Sequence, residues 1–334
     1  MARQIDEFVM AWGALAGISD MQGWRSISVA PAGSCTLMAG RRFPGNHEAL
    51  LAGFSEVSLP FAENLPAGNG FEVCRADPHG DGRSWIALTR RESGSLDLFT
   101  EMVADVAGAL DAINDEGEDK LLRVFLLRIR SWQEFMRHGL QALSPEAEIG
   151  LVGELFVLGS IIECGVPAAL AVEAWVGPLE GIQDFELGTG AVEVKATLSS
   201  QGFPIKIDSL EQLDDSLRKP LFLAGAQFAQ RESGMNLPEF AAFVRSLMAG
   251  DNEALRVYED RLLAAGFLAA HSDRYSRRFM VDKTKIVEVS NGFPRLVPGA
   301  VPAAIRRATY EIDFSQVAEA AVDMKEALKR LGVL

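Results

Sequence analysis

The sequence predicts a mixed α/β fold, α+β in its overall arrangement, with a β-rich N-terminal domain. Three observations predict it. Residues 144 to 229 read as helix, two or three strands, helix, strand. Residues 23 to 91 are short β-type runs separated by Gly and Pro clusters. The 334-residue length exceeds one core of ordinary size, so two domains are expected, 1–140 and 141–334.

In the N-terminal part, "WRSISVA", "CTLMAG", "GFEVCRA" and "SWIALTR" are the strand candidates. They carry β-branched and aromatic residues, and "RRFPGNHE" and "ADPHGDGR" punctuate them. Two helices follow. The first places Leu98, Met102, Val103, Val106 and Leu110 at helical spacing. The second, "DKLLRVFLLRIRSWQEFMRHGL", carries Arg123, Arg128, Arg130 and Arg137, read as a solvated face.

A new helix opens at "SPEAEIGLVGELFVLGSIIECG". Ser144 is a good N-cap, Pro145 suits the first helical position, and Glu146 and Glu148 suit the positive end of the helix dipole. Gly165 and Pro167 stop it. "DFEL", "AVEVKAT" and "FPIKI" are the next strands. "DSLEQLDDSLRK" reads as a helix closed by Pro220, and "LFLAGAQF" as a strand. Helices at 237–249 and 252–265 end at Gly266. The C-terminal extension holds strands "RYSRRFMVD", "KIVEVS" and "ATYEIDF", and "SQVAEAAVDMKEALKRLG" as a closing helix.

Composition narrows the function. The chain is 48% hydrophobic and 23% charged, ordinary for a globular protein. No apolar run approaches the roughly 20 residues that cross a bilayer, and the N-terminus lacks signal-peptide features. A cytoplasmic protein with no membrane partner is expected. Cys35, Cys74 and Cys164 are scattered and odd in number, which argues against a disulfide framework or a zinc site. The net charge of -14 argues against a tight autonomous nucleic-acid binder.

The unusual stretch is "DFELGTGAVEVKAT". Residues two apart in a strand share a face, so Glu193 and Lys195 point together while Val192 and Val194 point into apolar packing. If 184–187 and 191–197 form a hairpin, Asp184 comes near Glu193. Two carboxylates at that distance repel unless a cation lies between them. Two acidic oxygen donors beside a lysine suit a magnesium site for phosphoryl chemistry. The plainer reading is a Glu–Lys pair on the solvent face of a hairpin.

The pattern Asp184, eight residues, Glu193, one residue, Lys195, between a capped helix and a second αβ unit, resembles the PD-(D/E)XK nuclease superfamily. "GLVGELFVL", "AWVGP", "IDSLEQL", "FPRLVPGAVPAAI" and "TYEIDF" resemble more closely a bacterial PD-(D/E)XK family of the DUF4420 type, linked to restriction and phage-defence loci. The likeness spans nearly the whole chain and is most specific from 150 to 213. It implies a restriction-endonuclease-like αβββαβ core, Mg²⁺ (or Mn²⁺) as cofactor and phosphodiester hydrolysis. Asp184, Glu193 and Lys195 match the three motif positions, with Gln183 where the family pattern has proline.

The resemblance also implies supporting residues. Glu154 sits among Leu151, Val152, Leu155 and Phe156 on the first core helix, where relatives add an acidic metal ligand. Gly150 and Gly153 would allow close backbone approach there. A helix-surface glutamate is the alternative. Gln212 has two accounts: a capping box with Ser209, or the glutamine that relatives place near metal and DNA. Thr197 and Ser199 read as polar strand ends or phosphate contacts, and Lys206 as solvated or as a contact to the nucleic-acid backbone. "SDRYSRRFMVDKTK" holds Arg274, Arg277, Arg278, Lys283 and Lys285 with Tyr275 and Phe279, which suits either a charged hairpin face or nucleic-acid contact. Arg306 and Arg307 carry the same two readings.

The expected function is therefore that of a Mg²⁺-dependent DNA endonuclease in a restriction or defence system. Its DNA affinity would come from a protein partner or the N-terminal domain, and relatives of this type can pair as homodimers. A catalytically silent interaction subunit, and a hydrolase of RNA or another phosphodiester, are the alternatives.

Overall fold

A computed structural model describes residues 5–18, 22–29, 32–57, 65–138, 142–179, 181–290 and 292–334. The chain divides into two compact units, Met1–Leu140 and Gln141–Leu334. The boundary expected near 140 falls on residues 139–141, outside the described residues.

The N-terminal unit begins with helix α1 (Ile5–Leu15), followed by strands β1 (Gly23–Ser28), β2 (Thr36–Phe43), β3 (His47–Phe54), β4 (Phe71–Ala76) and β5 (Ser84–Arg90). They form one antiparallel sheet in the order β1-β2-β3-β5-β4. Helices α2 (Leu96–Asp111) and α3 (Glu118–His138) complete the unit. Ser95 caps α2 by accepting the Leu98 N–H. Trp12 of α1 donates its indole N–H to the Ala49 carbonyl, which ties the helix layer to the sheet.

Strand β3 was not foreseen. Its sequence, HEALLAGF, has no β-branched residue, and all but its first residue are buried. A central strand covered on both faces shows no alternation, so its period is invisible in the sequence. The arginine face on α3 is also less solvated than expected. Arg128 forms a two-pronged ion pair with Asp105 of α2, at 2.6 and 2.7 Å. Trp132 donates to the same carboxylate. The side chain of Arg137 lies outside the described residues.

The C-terminal unit opens with α4 (Pro145–Glu163), capped by Ser144. A short helix α5 (Ala168–Ala174) follows, then β6 (Phe185–Leu187), β7 (Gly190–Thr197), β8 (Pro204–Ile207) and β9 (Leu221–Met235). Helices α6 (Leu237–Ser246) and α7 (Asn252–Ala264) lead to β10 (Phe279–Glu288), β11 (Tyr310–Asp313) and α8 (Met324–Arg330). The main sheet runs β10-β9-β7-β6; only the β7–β9 pairing is parallel. One apolar core joins Leu155 and Leu158 of α4, Val192 and Val194 of β7, Phe222 and Phe228 of β9, and Phe240 of α6.

This is the restriction-endonuclease-like fold. Helix α4, strands β6, β7 and β9, helix α6 and strand β10 give the order helix, three strands, helix, strand. Two elements fill the order differently from the sequence reading. "FPIKI" forms β8, which leaves the main sheet and pairs antiparallel with β11. "DSLEQLDDSLRK" is not a helix. Its polar side chains bind local backbone instead: Ser209 accepts from the Glu211 N–H, Asp214 from Ser216, and Gln212 from Asp208. These bonds compete with the helical ladder. The capping box of Ser209 and Gln212 therefore does not form, and the crossover between the parallel strands β7 and β9 carries no helix.

The C-terminal extension departs too. "RYSRRFMVD" and "KIVEVS" merge into the single strand β10, with a bulge between Val281 and Lys283. The closing helix is shorter than expected, because Asp323 caps it by accepting the Glu326 N–H. No described helix is long and apolar enough to cross a membrane.

Candidate active site

The β6–β7 hairpin does bring the charged residues together. Phe185 pairs with Val192 and Leu187 with Gly190. Asp184 lies just before β6, and its Oδ2 accepts the Val194 N–H at 2.7 Å. The backbone N–H groups of Val176 and Gly177 bind the Asp184 carbonyl, so its main chain is fixed from two sides.

Val192 and Val194 enter the core beneath α4, while Glu193 and Lys195 turn to the opposite face of β7. Glu193 is only 1% exposed. Its Oε1 lies 2.9 Å from Lys195 Nζ, and its Oε2 has no hydrogen-bond partner. Lys195 Nζ also donates to Gln212 Oε1 at 3.2 Å. Gln212 thus reaches the site from a loop rather than from a helix.

Glu154 completes the group from α4. Trp175 donates its indole N–H to Glu154 Oε2 at 2.6 Å. Gly153 makes the approach possible: a Cβ there would meet the Ala196 Cβ at 2.7 Å, so α4 lies against β7 at a distance only glycine allows. Gly150 has no such role, for a Cβ at that position meets nothing within 4 Å.

Gly177 links the two remaining carboxylates. A Cβ on it would lie 2.9 Å from both Asp184 Oδ1 and Glu154 Oε2. Both oxygens therefore border one small cradle that the missing side chain leaves open.

The electrostatics follow from this crowding. Burial and then the Asp184 charge push Glu154 up to about 8, against the opposing Trp175 hydrogen bond and Lys195 charge. Burial also raises Asp184, against its bond from the Val194 N–H. Glu193 is raised well above the usual carboxylate range by burial and by the Asp184 charge. Burial disfavours the charge on Lys195, yet the Glu193 carboxylate outweighs it and raises the lysine. Burial and neighbouring negative charge thus disfavour the ionised carboxylates, and a cation placed among them would favour that form.

Among the described residues no three acidic, His or Cys side chains form a finished metal cage. The donor set nevertheless fits a hard divalent ion in kind. The donors are carboxylate oxygens, Glu193 Oε2 has no partner, and the Gly177 cradle is open.

Sequence reasoning missed two supporting residues. Trp175, within the quoted "AWVGP", orients Glu154. Gln183 is buried, and its Nε2 donates to the carbonyls of Glu211 and Gln212, anchoring the loop that carries Gln212. Its position in place of proline was the signal.

The other basic and polar candidates lie outside this cluster. Arg277 pairs with the buried Glu148 and binds the Pro145 carbonyl. Arg278 pairs with Glu239. Lys285 donates to the Phe314 and Val317 carbonyls. The most basic stretch is thus largely engaged in internal pairs. Thr197 and Ser199 shape the turn after β7, with Thr197 Oγ1 accepting the Ser199 N–H. Lys206 pairs with Asp208 at the surface, and Arg306 and Arg307 are exposed.

Residues 8–315 match the family model described as "Putative PD-(D/E)XK family member, (DUF4420)". The chain belongs to this family. Comparison with curated proteins and with solved structures returns no match. Divalent metals are typical of PD-(D/E)XK nucleases.

Proposed function

We propose that the chain is a Mg²⁺-dependent DNA endonuclease that serves in a restriction or phage-defence system, in the cytoplasm. The observation that carries this reading is the cluster that α4 and the β6–β7 hairpin assemble: Glu154 and Asp184 bordering the Gly177 cradle, with the Glu193–Lys195 pair on the same hairpin. Asp184 and Glu193, with Glu154, would hold the ion; Mn²⁺ would serve as well. When bound, it supplies Lewis-acid stabilisation of the charge that builds on the phosphate. Lys195 orients the attacking water and offsets negative charge in the transition state. Gln212 holds the Lys195 ammonium in place through its Oε1. Trp175 fixes the Glu154 carboxylate. RNA or another phosphodiester would meet the same chemistry.

Two features support a partner protein that delivers the DNA. The chain carries a net charge of -14, and Arg277, Arg278 and Lys285 are internally paired. The lack of a finished cage supports a second reading, a silent interaction subunit.

The test is incubation of the protein with supercoiled plasmid and single-stranded DNA in Mg²⁺ or Mn²⁺, beside Lys195→Ala. Metal-dependent nicking that the variant loses supports the nuclease. An absence of cleavage together with an absence of calorimetric metal binding would sink it in favour of the silent subunit.

A further inference from the structure

The N-terminal sheet has two unlike faces. Arg41 of β2 donates to the Trp12 carbonyl, so the side of Arg41, Glu48 and Leu50 faces the helices. The register places Trp24, Arg42, His47, Glu72 and Thr89 on the other face. At one end of that face these residues and Arg91 wall a cleft of about 780 Å³. A cleft of that size accommodates a nucleotide-sized ligand.

The walls define the ligand. The Arg42 guanidinium lies over the Trp24 ring, 5.9 Å from its centre. Arg42 and Arg91 share one carboxylate, Glu72, at 2.7 and 3.2 Å. Thr89 lies behind the cleft wall and is 1% exposed. Arg90, also lining the cleft, is paired with Glu48. Glu72, Asp77 and Glu92 balance the three arginines of the lining, so a bare anion gains little there. Both Glu72 oxygens are already held by arginines, so a ligand there must offer polar edges that can exchange with these ion pairs. A flat, neutral heteroaromatic ring fits: it stacks on the indole, and its edge offers donors to Glu72 and acceptors to Arg42.

We propose that this cleft binds one unstacked nucleobase, held against Trp24 and read at its edge by Arg42 and Glu72. That the base belongs to a single-stranded stretch of nucleic acid rests on the nuclease reading above. It also supplies what the C-terminal unit lacks, since the most basic stretch there is largely engaged in internal pairs.

The test is fluorescence anisotropy of a short labelled single-stranded oligonucleotide with the full chain in EDTA, so that cleavage is not needed. Loss of base stacking in Trp24→Ala should weaken binding by about 5- to 150-fold, while Trp24→Phe stays near wild type. Arg42→Gln should weaken it as well. Circular dichroism checks that the Trp24→Ala chain is folded, and Trp24→Phe reports on stacking if it is not. Binding that depends on Trp24 without any cleavage keeps the cleft and drops the nuclease. Equal affinity in folded Trp24→Ala, or no binding by the wild type, overturns the proposal. Competition by a nucleoside monophosphate as strong as by the oligonucleotide overturns the strand and leaves a free nucleotide as the ligand.

Discussion

The indole N–H of Trp175 lies 2.6 Å from Glu154 Oε2, one residue beyond the short helix that follows α4. It opposes the burial and the Asp184 charge that press on this carboxylate. Trp175→Phe keeps the ring and removes the donor. Divalent-metal affinity should fall by about 10-fold, since residues that orient a ligand typically govern that much binding. Isothermal titration with Mn²⁺ measures it; unchanged affinity would show that Glu154 is not a ligand.

The proton on Glu154 makes a second prediction. Its folded pKa, about 8, lies above the usual glutamate value of 4.5. The folded state therefore binds a proton that the unfolded chain has released, and the resulting stability is lost as pH rises through about 8. Without metal, the thermal midpoint should fall between pH 5.5 and 8.5. In Glu154→Gln the fall should be smaller by a few degrees, on the order of what 1–2 kcal/mol gives in a domain of this size. Differential scanning fluorimetry in EDTA reads the difference, and saturating Mn²⁺ should flatten the wild-type profile.

Two glycines on one helix should respond in opposite directions. Gly153→Ala puts a Cβ 2.7 Å from the Ala196 Cβ and should destabilise by about 1–3 kcal/mol. Gly150→Ala meets nothing within 4 Å and should stabilise by about 0.5–1 kcal/mol. Urea denaturation of the pair decides it.

Arg277 offers a test of internal against external charge. It is the ion-pair partner of Glu148, which is buried. Arg277→Gln should cost about 1–3 kcal/mol, because it strands a buried carboxylate. Oligonucleotide affinity should stay within twofold at matched salt. A drop in affinity with unchanged stability would return this stretch to the nucleic-acid surface.

Much of the site was legible because motif chemistry is local. Asp184, Glu193 and Lys195 lie within one hairpin, whose turn residues and alternation are written in a dozen positions. Glu154 could be suspected from its apolar neighbours. What stayed hidden depends on contacts between distant segments. Gln183 binds carbonyls 28 and 29 residues away. Strand β3 hid because burial on both faces erases the alternation that marks a strand. The expected helix at 208–219 failed because Asp208, Ser209, Gln212 and Asp214 bring their own backbone partners, which a periodicity argument does not count.

The pairing of β8 with β11 has a consequence for the order in which the site is built. Residues 204–207 lead into the Gln212 loop, yet their strand partner is 310–313. A ribosome makes the chain from its N-terminus, so the hairpin of Asp184, Glu193 and Lys195 emerges long before β11. A nascent chain stopped short of residue 310 holds the acidic residues and the lysine with the β8 end of the loop unsecured. Maturation of the centre waits for residues 310–313 to emerge, so translation products truncated before them lack a strand that braces the approach to Gln212.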